Sequence, residues 1–383
     1  MAKPFDLDAI ASVPSPCFIL DEAALANNMA TLRRVMDESG CSVIAALKAF
    51  SMWPAFAQIS QTLPGSTASS LNEVRLAHEE FGGEIHAYAP AYVKSDLQAM
   101  LPLVSHITFN SFSQWERYKD LVQLYSNPIS CGIRVNPEWS SARVPMYDAA
   151  APFSRMGVTR AEFRPDLLDG IEGLHLHCLD SAGPAQLAQL IAAFEEKFGE
   201  FLPRMKWVNF GGGHHITRQG YDVDHLIEVL IAFRAKWGVE VILEPGEAVC
   251  WEAGVLVATV LDLVHNGMDI AVLDASASAH MPDCIELPYQ PAISGAALSG
   301  VKAHTFRLGS VTCLSGDILG DYSFDQPLAV GDRLVIEDMM QYTMVKSSFF
   351  NGVRHPAIAI RRMDGTIEVL REFGYEDFKG RLG

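Results

Sequence analysis

Long apolar runs are absent from this 383-residue chain, and none reaches the roughly 20 residues that a membrane-spanning helix needs. The amino terminus also lacks the apolar core of a secretory signal, so we expect a cytoplasmic protein with no membrane partner. Positive charge is scarce: 29 Lys and Arg against 46 Asp and Glu give a net charge of −17, which argues against nucleic acid as a partner. The seven cysteines include no CxxC pair, as is typical of reduced thiols.

Hydrophobic residues, 49% of the chain, are distributed in short runs that alternate with amphipathic stretches. Eight of these runs read as strands: 42–49, 65–69, 84–89, 106–110, 129–135, 171–178, 206–210 and 239–244. Helical patterns lie between them, at Ser70–Phe81, Ser113–Tyr125, Ala185–Phe201 and Val223–Trp237. The alternation predicts an α/β fold, a (β/α)8 TIM-like barrel over residues 22–252, with a helix at Glu22–Glu38 ahead of the first strand.

The pattern changes after about residue 250, where Gly and Pro separate short strands and helical periodicity is rare. The candidate strands are Gly254–Val264, Asp269–Ala275, Lys302–Leu308, Arg333–Glu337 and Ala357–Arg362. This predicts a mostly-β domain over residues 253–383. The run Pro16–Leu20, within residues 1–21, is predicted to be a strand that joins it.

Lys48 closes the apolar run Val43–Leu47, an expensive place for an ammonium group. One interpretation is an amine that reaches out to water from the end of a strand. The other is an amine whose pKa is lowered by desolvation and which forms a Schiff base with a carbonyl group.

Four further polar features lie at the carboxyl ends of predicted barrel strands, where the active sites of such barrels are built. They are Arg134, the pair His175 and His177, the run Gly211–Gly213, and Glu244. Taken singly, Arg134 could be a surface cation, the histidines could be core residues or metal ligands, Gly211–Gly213 could be a flexible turn, and Glu244 could be a structural acid.

Taken together, these residues describe a site for pyridoxal 5′-phosphate. A lysine forms the imine, glycines hold the phosphate, a histidine covers the ring, and a glutamate keeps the ring nitrogen protonated. A protonated ring accepts electrons strongly, which favours decarboxylation over racemisation. Two other classes remain open: a barrel hydrolase with metal bound by His175, His177, His214 and His215, and an inactive regulator of a decarboxylase.

Several motifs carry a resemblance to a known family. They are Leu174-His175-Leu176-His177, Asn209-Phe210-Gly211-Gly212-Gly213, Glu244-Pro245-Gly246, Cys313-Leu314-Ser315-Gly316-Asp317 and Tyr342-Thr343. With Lys48, they resemble the fold-III, alanine-racemase-like pyridoxal-phosphate decarboxylases over nearly the whole chain. The runs 280–283, 338–346 and 350–352 are similar to carboxynorspermidine/carboxyspermidine decarboxylases.

The resemblance implies a role for each matching residue. Lys48 would bind the cofactor covalently, His177 would stack on its ring, and Glu244 would meet the ring nitrogen. The remaining cofactor contacts would come from Arg134, Gly211, Gly212, Gly213, Gly246 and Tyr342. Cys313 and Asp317 would reach the active site of the partner in a homodimer with shared sites, and Cys313 would assist catalysis. The resemblance implies no metal.

The motifs depart from those of diaminopimelate decarboxylases, which resemble this chain but carry a glutamate at Leu314 and an arginine at Glu247. An acid at Glu247 suits an amine, so the expected substrate is a cationic carboxylated triamine. Asp283 and Glu286 lie where related decarboxylases place the acid that binds a distal amine. We therefore expect decarboxylation of carboxynorspermidine and carboxyspermidine to norspermidine and spermidine, with a diaminopimelate or other basic amino-acid decarboxylase as the alternative.

Overall fold

The computed structural model describes residues 10–383, and predictions that fall on residues 1–9 lie outside the described range. Residue contacts divide the chain into two units. One unit is Asn28–Val249, and the other joins the residues up to Asn27 with Cys250–Gly383. The predicted bounds of 22–252 and 253–383 stay a prediction.

The first unit contains a parallel barrel sheet. Its strands are Ser42–Val43, Ala45–Ala46, Gly65–Ala68, Glu84–Tyr88, His106–Phe109, Ser130–Arg134, Gly173–His175, Trp207–Asn209 and Glu240–Leu243. The two short strands at the ends of this sheet are pieces of the single strand predicted over 42–49. One piece pairs with Glu240–Leu243 and the other with Gly65–Ala68, so the eight predicted strands form the expected barrel.

Helices follow most barrel strands. The α-helices of this part of the chain are Glu22–Ser39, Phe56–Ile59, Leu71–Leu76, Lys94–Met100, Phe112–Gln123, Pro184–Phe198 and Val223–Trp237, with a π-helical turn at Ala77–Phe81. Short 3-10 turns lie at Trp53–Ala55, Pro145–Tyr147, Pro165–Leu167, Gly199–Arg204 and Glu247–Val249. After Ser130–Arg134, the described chain has two of these turns in place of an α-helix, which is a departure from the regular barrel order.

Trp207 fills the interior of the barrel beside two strand glycines. A Cβ atom at Gly173 would lie 2.0 Å from the indole Cδ2 of Trp207, and one at Gly132 would lie 2.3 Å from its Cη2. Trp207 also packs with Ile44 and Ile242 in the core. Glycine is therefore needed at these two positions because the indole occupies the space of a Cβ atom. The strand backbone itself does not favour glycine.

Gly173→Ala is expected to destabilise the protein by about 1–3 kcal/mol, because an added methyl group overpacks a well-filled core. Urea unfolding followed by tryptophan fluorescence measures this change. Gly380→Ala is the matched control, since a Cβ there meets no atom within 4 Å. Equal unfolding midpoints for the two variants would contradict this account of the barrel core.

The second unit is built on a mixed nine-stranded sheet. Its strands are Cys17–Asp21, Gly254–His265, Asp269–Leu273, Ala297–Leu298, His304–Ser310, Ile318–Phe324, Arg333–Glu337, Ala357–Arg361 and Ile367–Arg371. Its helices are Ala277–His280, Asp283–Glu286 and Tyr375–Gly380, with a 3-10 turn at Phe350–Gly352. Cys17–Asp21 pairs antiparallel with Gly254–His265 and parallel with Ala357–Arg361, so this strand lies within the sheet of the second unit.

Candidate active site

Lys48 lies at the carboxyl ends of the barrel strands, near enough to Glu244, Arg134 and His177 for their charges to interact; these four residues are called the catalytic recess below. Lys48 follows the short strand Ala45–Ala46 in a turn, two residues beyond the point where the strand ends. Its side chain is exposed to solvent, yet enough protein surrounds it that desolvation lowers the pKa of its amine, while Glu244 opposes that shift. An accessible amine with a lowered pKa is the form that reacts with a carbonyl group.

Glu244 is buried directly after the strand Glu240–Leu243. Its Oε1 accepts a hydrogen bond of 2.8 Å from Asn209 Nδ2, and its Oε2 lies 3.6 Å from His175 Nε2. Burial opposes ionisation, but the contacts with His175 and Asn209 outweigh it, so the pKa of Glu244 is lowered. The carboxylate is therefore charged and held in position inside the protein.

His177 is held as a neutral ring. Its Nδ1 accepts a hydrogen bond of 2.8 Å from the backbone N–H of Gly212, which leaves the ring hydrogen on Nε2. Desolvation, with the charges of Lys48 and Arg134, keeps the pKa of His177 well below its ordinary value. Such a ring offers a flat, uncharged face.

Arg134 is a buried residue and not a surface cation. Its Nη2 donates to the carbonyl of His177 at 3.1 Å, and its guanidinium lies 4.8 Å from the ring centre of Tyr88. Its Nε has no hydrogen-bond partner within the described residues. Arg134 therefore holds the backbone of His177 in place, and its Nε–H remains available to donate a hydrogen bond to a ligand.

The glycine run packs too closely for any side chain. A Cβ atom at Gly211 would lie 2.5 Å from His177 Nδ1, at Gly212 2.3 Å from the carbonyl oxygen of Glu244, and at Gly213 2.0 Å from that of Leu179. Gly211 and Gly213 also have φ angles of +69° and +87°. The amides of Gly211 and Gly212 donate to Asn209 Oδ1 and His177 Nδ1, so these two N–H groups position side chains of the site.

Glu247 pairs with His215, the residue two positions after the glycine run. It lies in the 3-10 turn that follows Glu244, and Gly246 is buried immediately before it. Glu247 also helps to raise the pKa of Asp180, although burial of that carboxyl group is the larger cause. The glutamate is thus in contact with an imidazole in this structure.

The second unit carries the remaining predicted residues. Cys313 is exposed, whereas the other six cysteines are buried, and its N–H donates to Asn351 Oδ1 at 2.8 Å. Asp317 is buried and accepts hydrogen bonds from Ser276 Oγ at 2.7 Å, from the N–H of Ser278 at 2.9 Å, and from Thr312. These bonds outweigh the effect of burial and lower the pKa of Asp317. They tie the carboxylate to Thr312, the neighbour of Cys313, in the same chain.

Asp283 and Glu286 converge on a single ammonium group. Lys346 Nζ lies 2.6 Å from Asp283 Oδ1 and also pairs with Glu286. The acids belong to the short helix Asp283–Glu286, and Lys346 follows in sequence some 60 residues later.

Tyr342 is half-buried in a turn, with a left-handed φ of 47°.

Comparison with known proteins places this site in a family. A family model described as pyridoxal-dependent decarboxylase, C-terminal sheet domain, matches residues 17–340. The carboxynorspermidine/carboxyspermidine decarboxylase of Campylobacter jejuni is 40% identical over 96% of this chain and 98% of its own length. The chain belongs to the carboxynorspermidine decarboxylase family. It is a pyridoxal-phosphate-dependent decarboxylase of polyamine biosynthesis.

Other relatives agree on the class and differ in substrate. The carboxyaminopropylagmatine decarboxylase of Synechocystis sp. is 46% identical over 98% of this chain and 97% of its own length. A crystal structure of carboxynorspermidine decarboxylase from Campylobacter jejuni with norspermidine matches with a TM-score of 0.90, at 39% identity, over 96% of this decarboxylase and all of that chain. Diaminopimelate decarboxylase from Helicobacter pylori, at 16% identity over 98% of each chain and a TM-score of 0.82, shares the fold.

The residues of this decarboxylase fit its cofactor. The recess presents an accessible amine beside a charged carboxylate and a neutral ring, and its glycine loop leaves no space for a Cβ. Buried nitrogen atoms of Arg134 and His214 lack hydrogen-bond partners among the described residues, as donors and acceptors of a ligand site do.

Among the residues that the structure describes, no helix has the length and apolarity needed to cross a membrane.

Three contacts of the site were not predicted from the sequence. Asn209 donates a hydrogen bond to Glu244, His175 lies 3.6 Å from that carboxylate, and Glu73 lies close enough to Lys48 to oppose the lowering of the pKa of that amine. Burial raises the pKa of Glu73, and its carboxylate accepts from the N–H of Ser69 at 2.6 Å. The spacing of Ser70 and Glu73 is that of a capping box, which places Glu73 in the first turn of the helix Leu71–Leu76. That spacing is the sequence feature from which the position of Glu73 could have been predicted.

Proposed function

We propose that this decarboxylase releases carbon dioxide from carboxynorspermidine and carboxyspermidine, giving norspermidine and spermidine. The observation that carries the proposal is the Lys48–Glu244 recess, in a chain that is similar over 96% of its length to a carboxynorspermidine/carboxyspermidine decarboxylase. Carboxyaminopropylagmatine is a second candidate substrate, because the relative named for it is 46% identical. All three are carboxylated amines with a cationic tail.

When bound, pyridoxal phosphate would supply a ring that accepts the electron pair left on the substrate carbon as carbon dioxide departs. Lys48 would hold the cofactor through its amine. Glu244 keeps a proton on the ring nitrogen, for which its charged form and its fixed position suit it. His177 covers one face of the ring and excludes water there.

The backbone N–H groups of the glycine loop that do not donate within the chain are the candidates to bind the cofactor phosphate. Gly211 and Gly212 donate inward to Asn209 and His177, so they shape the loop. Gly213 and Gly246 would supply the phosphate donors. Arg134 supports this end through the backbone of His177.

The active site is completed by a second subunit in a homodimer. Cys313 is the exposed cysteine of the chain, on a loop that Asp317 and Asn351 hold in place. An exposed thiol on a fixed loop is suited to reach a neighbouring subunit and to return a proton to the substrate carbon. Asp317 serves the partner's site by holding this loop.

Mixing Lys48→Ala subunits with Cys313→Ala subunits should restore activity that neither variant has alone. In random pairing about half of the dimers are mixed, and each mixed dimer has one site with neither lesion. We expect about a quarter of the wild-type rate of carbon dioxide release. Absence of recovery, with subunit exchange shown independently by mass-tagged chains, would place Cys313 in the site of its own chain.

The cationic tail of the substrate is recognised by carboxylates. Asp283 and Glu286 together bind one ammonium group in this structure, that of Lys346, and this contact supports a role for the pair in binding a cation. Two acids and one lysine leave this group with one negative charge in excess, so it attracts a further cation. Glu247 is the weaker candidate, because its one carboxylate is paired with His215, whereas Asp283 and Glu286 share a single ammonium group.

Asp283→Asn should raise KM for carboxynorspermidine and lower kcat/KM by roughly one to two decades, since a hydrogen bond to a charged group contributes about 1.5–3 kcal/mol. The loss should be smaller for an analogue without the terminal amine. Asp262→Asn, at an exposed acid of the same unit, is the control. An unchanged preference for the aminated substrate would rule out recognition by Asp283.

Substrate choice is tested by a panel in which released carbon dioxide is measured. The panel contains carboxynorspermidine, carboxyspermidine, carboxyaminopropylagmatine and diaminopimelate. The proposal expects the highest kcat/KM on the first two. A higher value on carboxyaminopropylagmatine would transfer the assignment to the second candidate, and activity confined to diaminopimelate would refute both.

A further inference from the structure

Three side chains that are able to bind metal converge at the amino-terminal rim of the barrel. They are Glu84, His86 and His106, and one donor atom of each lies within 4.8 Å of the others. Glu84 and His106 are the first residues of their strands, whereas Lys48 follows the carboxyl end of its strand. The cluster is therefore at the opposite end of the barrel from the catalytic recess.

The strands hold the cluster in register. His86 and His106 are paired positions on neighbouring parallel strands, and their rings stack at 3.9 Å with an angle of 19°. Glu84 lies two residues before His86 and so faces the same side of the sheet. His86 is buried, His106 is half-buried and Glu84 is exposed, so the cluster is built on rigid backbone and opens to solvent on one side.

The hydroxyl of Ser105 contacts the ring of His106. Its Oγ lies 3.1 Å from His106 Nδ1 and 3.2 Å from the carbonyl oxygen of Ile85. When the hydroxyl donates to that carbonyl, it accepts from Nδ1–H and leaves a lone pair on Nε2. Metal-binding histidines are oriented in this way by a partner on the other nitrogen.

We propose that Glu84, His86 and His106 bind a divalent transition-metal ion, best matched by zinc, with water in the fourth position. Two imidazoles and one carboxylate suit zinc and disfavour magnesium or calcium. Zinc–ligand bonds of about 2.0–2.1 Å in a tetrahedron separate the donor atoms by roughly 3.3 Å. His86 Nε2 and Glu84 Oε2 are already 3.3 Å apart. The ring of His106 has to turn out of its stack on His86, because an ion lies in the plane of each imidazole that binds it. The ion takes the place of the hydrogen between His86 and Glu84, the His86 ring carries its hydrogen on Nδ1 instead, and the ion joins two strands of the rim.

The test is zinc titration of the chelator-treated, dialysed holoenzyme by isothermal calorimetry. The proposal expects one high-affinity zinc ion per chain in the wild type and its loss in His106→Gln. Ser105→Ala should weaken binding roughly 10- to 100-fold, because it removes the group that orients a ligand. His78→Gln, at an exposed histidine of the same unit, should bind zinc as the wild type does.

A second measurement separates metal binding from folding defects. Glu84 is exposed, so Glu84→Gln should melt at the wild-type temperature without metal. Zinc should raise the Tm of the wild type, since it binds the folded state, and should leave the Tm of Glu84→Gln unchanged. No binding by the wild type, or equal binding by Glu84→Gln and His106→Gln, would overturn the proposal.

Discussion

Replacing Lys48 with alanine is expected to abolish decarboxylation. Lys48 is the amine of the recess, and desolvation lowers its pKa, which increases the fraction of the neutral, nucleophilic form. Alanine removes the covalent attachment of the cofactor altogether. We expect kcat/KM to fall by at least about three decades, which corresponds to about 4 kcal/mol of barrier.

The measurement is carbon dioxide release, with the absorption band of lysine-bound cofactor recorded in parallel. Lys94→Ala is the matched control, because Lys94 is an exposed lysine of the same unit. It should retain both the activity and the band. A Lys48→Ala protein that retained the band and more than about a hundredth of wild-type activity would contradict the role of Lys48.

Glu244→Gln should reduce kcat far more than it reduces cofactor content. Asn209 and His175 hold the carboxylate in place, and its pKa is lowered, so the wild type presents a fixed negative charge. A neutral amide keeps the shape and loses that charge. The lost interaction is worth about 1.5–3 kcal/mol, or a roughly ten- to hundredfold fall in kcat if all of it appears in the barrier.

Single-turnover kinetics on cofactor-saturated protein separates this effect from cofactor loss. Glu240→Gln is the control, since Glu240 begins the strand after which Glu244 lies and is exposed at its far end. It should leave kcat unchanged. If Glu244→Gln also left kcat unchanged, the protonation of the cofactor ring nitrogen would not depend on Glu244.

The barrel was predictable because its strands are apolar runs of regular length that alternate with helical patterns. The first strand shows the limit of that reasoning. Its sequence is continuous, but the amide of Ile44 donates to Leu243 while that of Leu47 donates to Thr67, so the strand changes partners and ends before Lys48. A run of apolar residues does not show which neighbour each amide binds.

Residues at the barrel mouth were also predictable, because parallel strands bring their carboxyl ends together. Contacts between distant segments were not. The pairing of Asp283 with Lys346, and that of Asp317 with Ser276, depend on how the chain returns to the same place in the second unit. His86 and His106 are apart in sequence, and only the register of two strands makes them neighbours.

Reductive trapping tests the central claim most directly. The cofactor-loaded wild-type protein is treated with borohydride, which makes the lysine linkage permanent, then digested and mapped by mass spectrometry. The account predicts that the cofactor mass is found on the peptide that contains Lys48, and that Lys48→Ala protein carries none. Labelling of a different lysine in the wild type would contradict it.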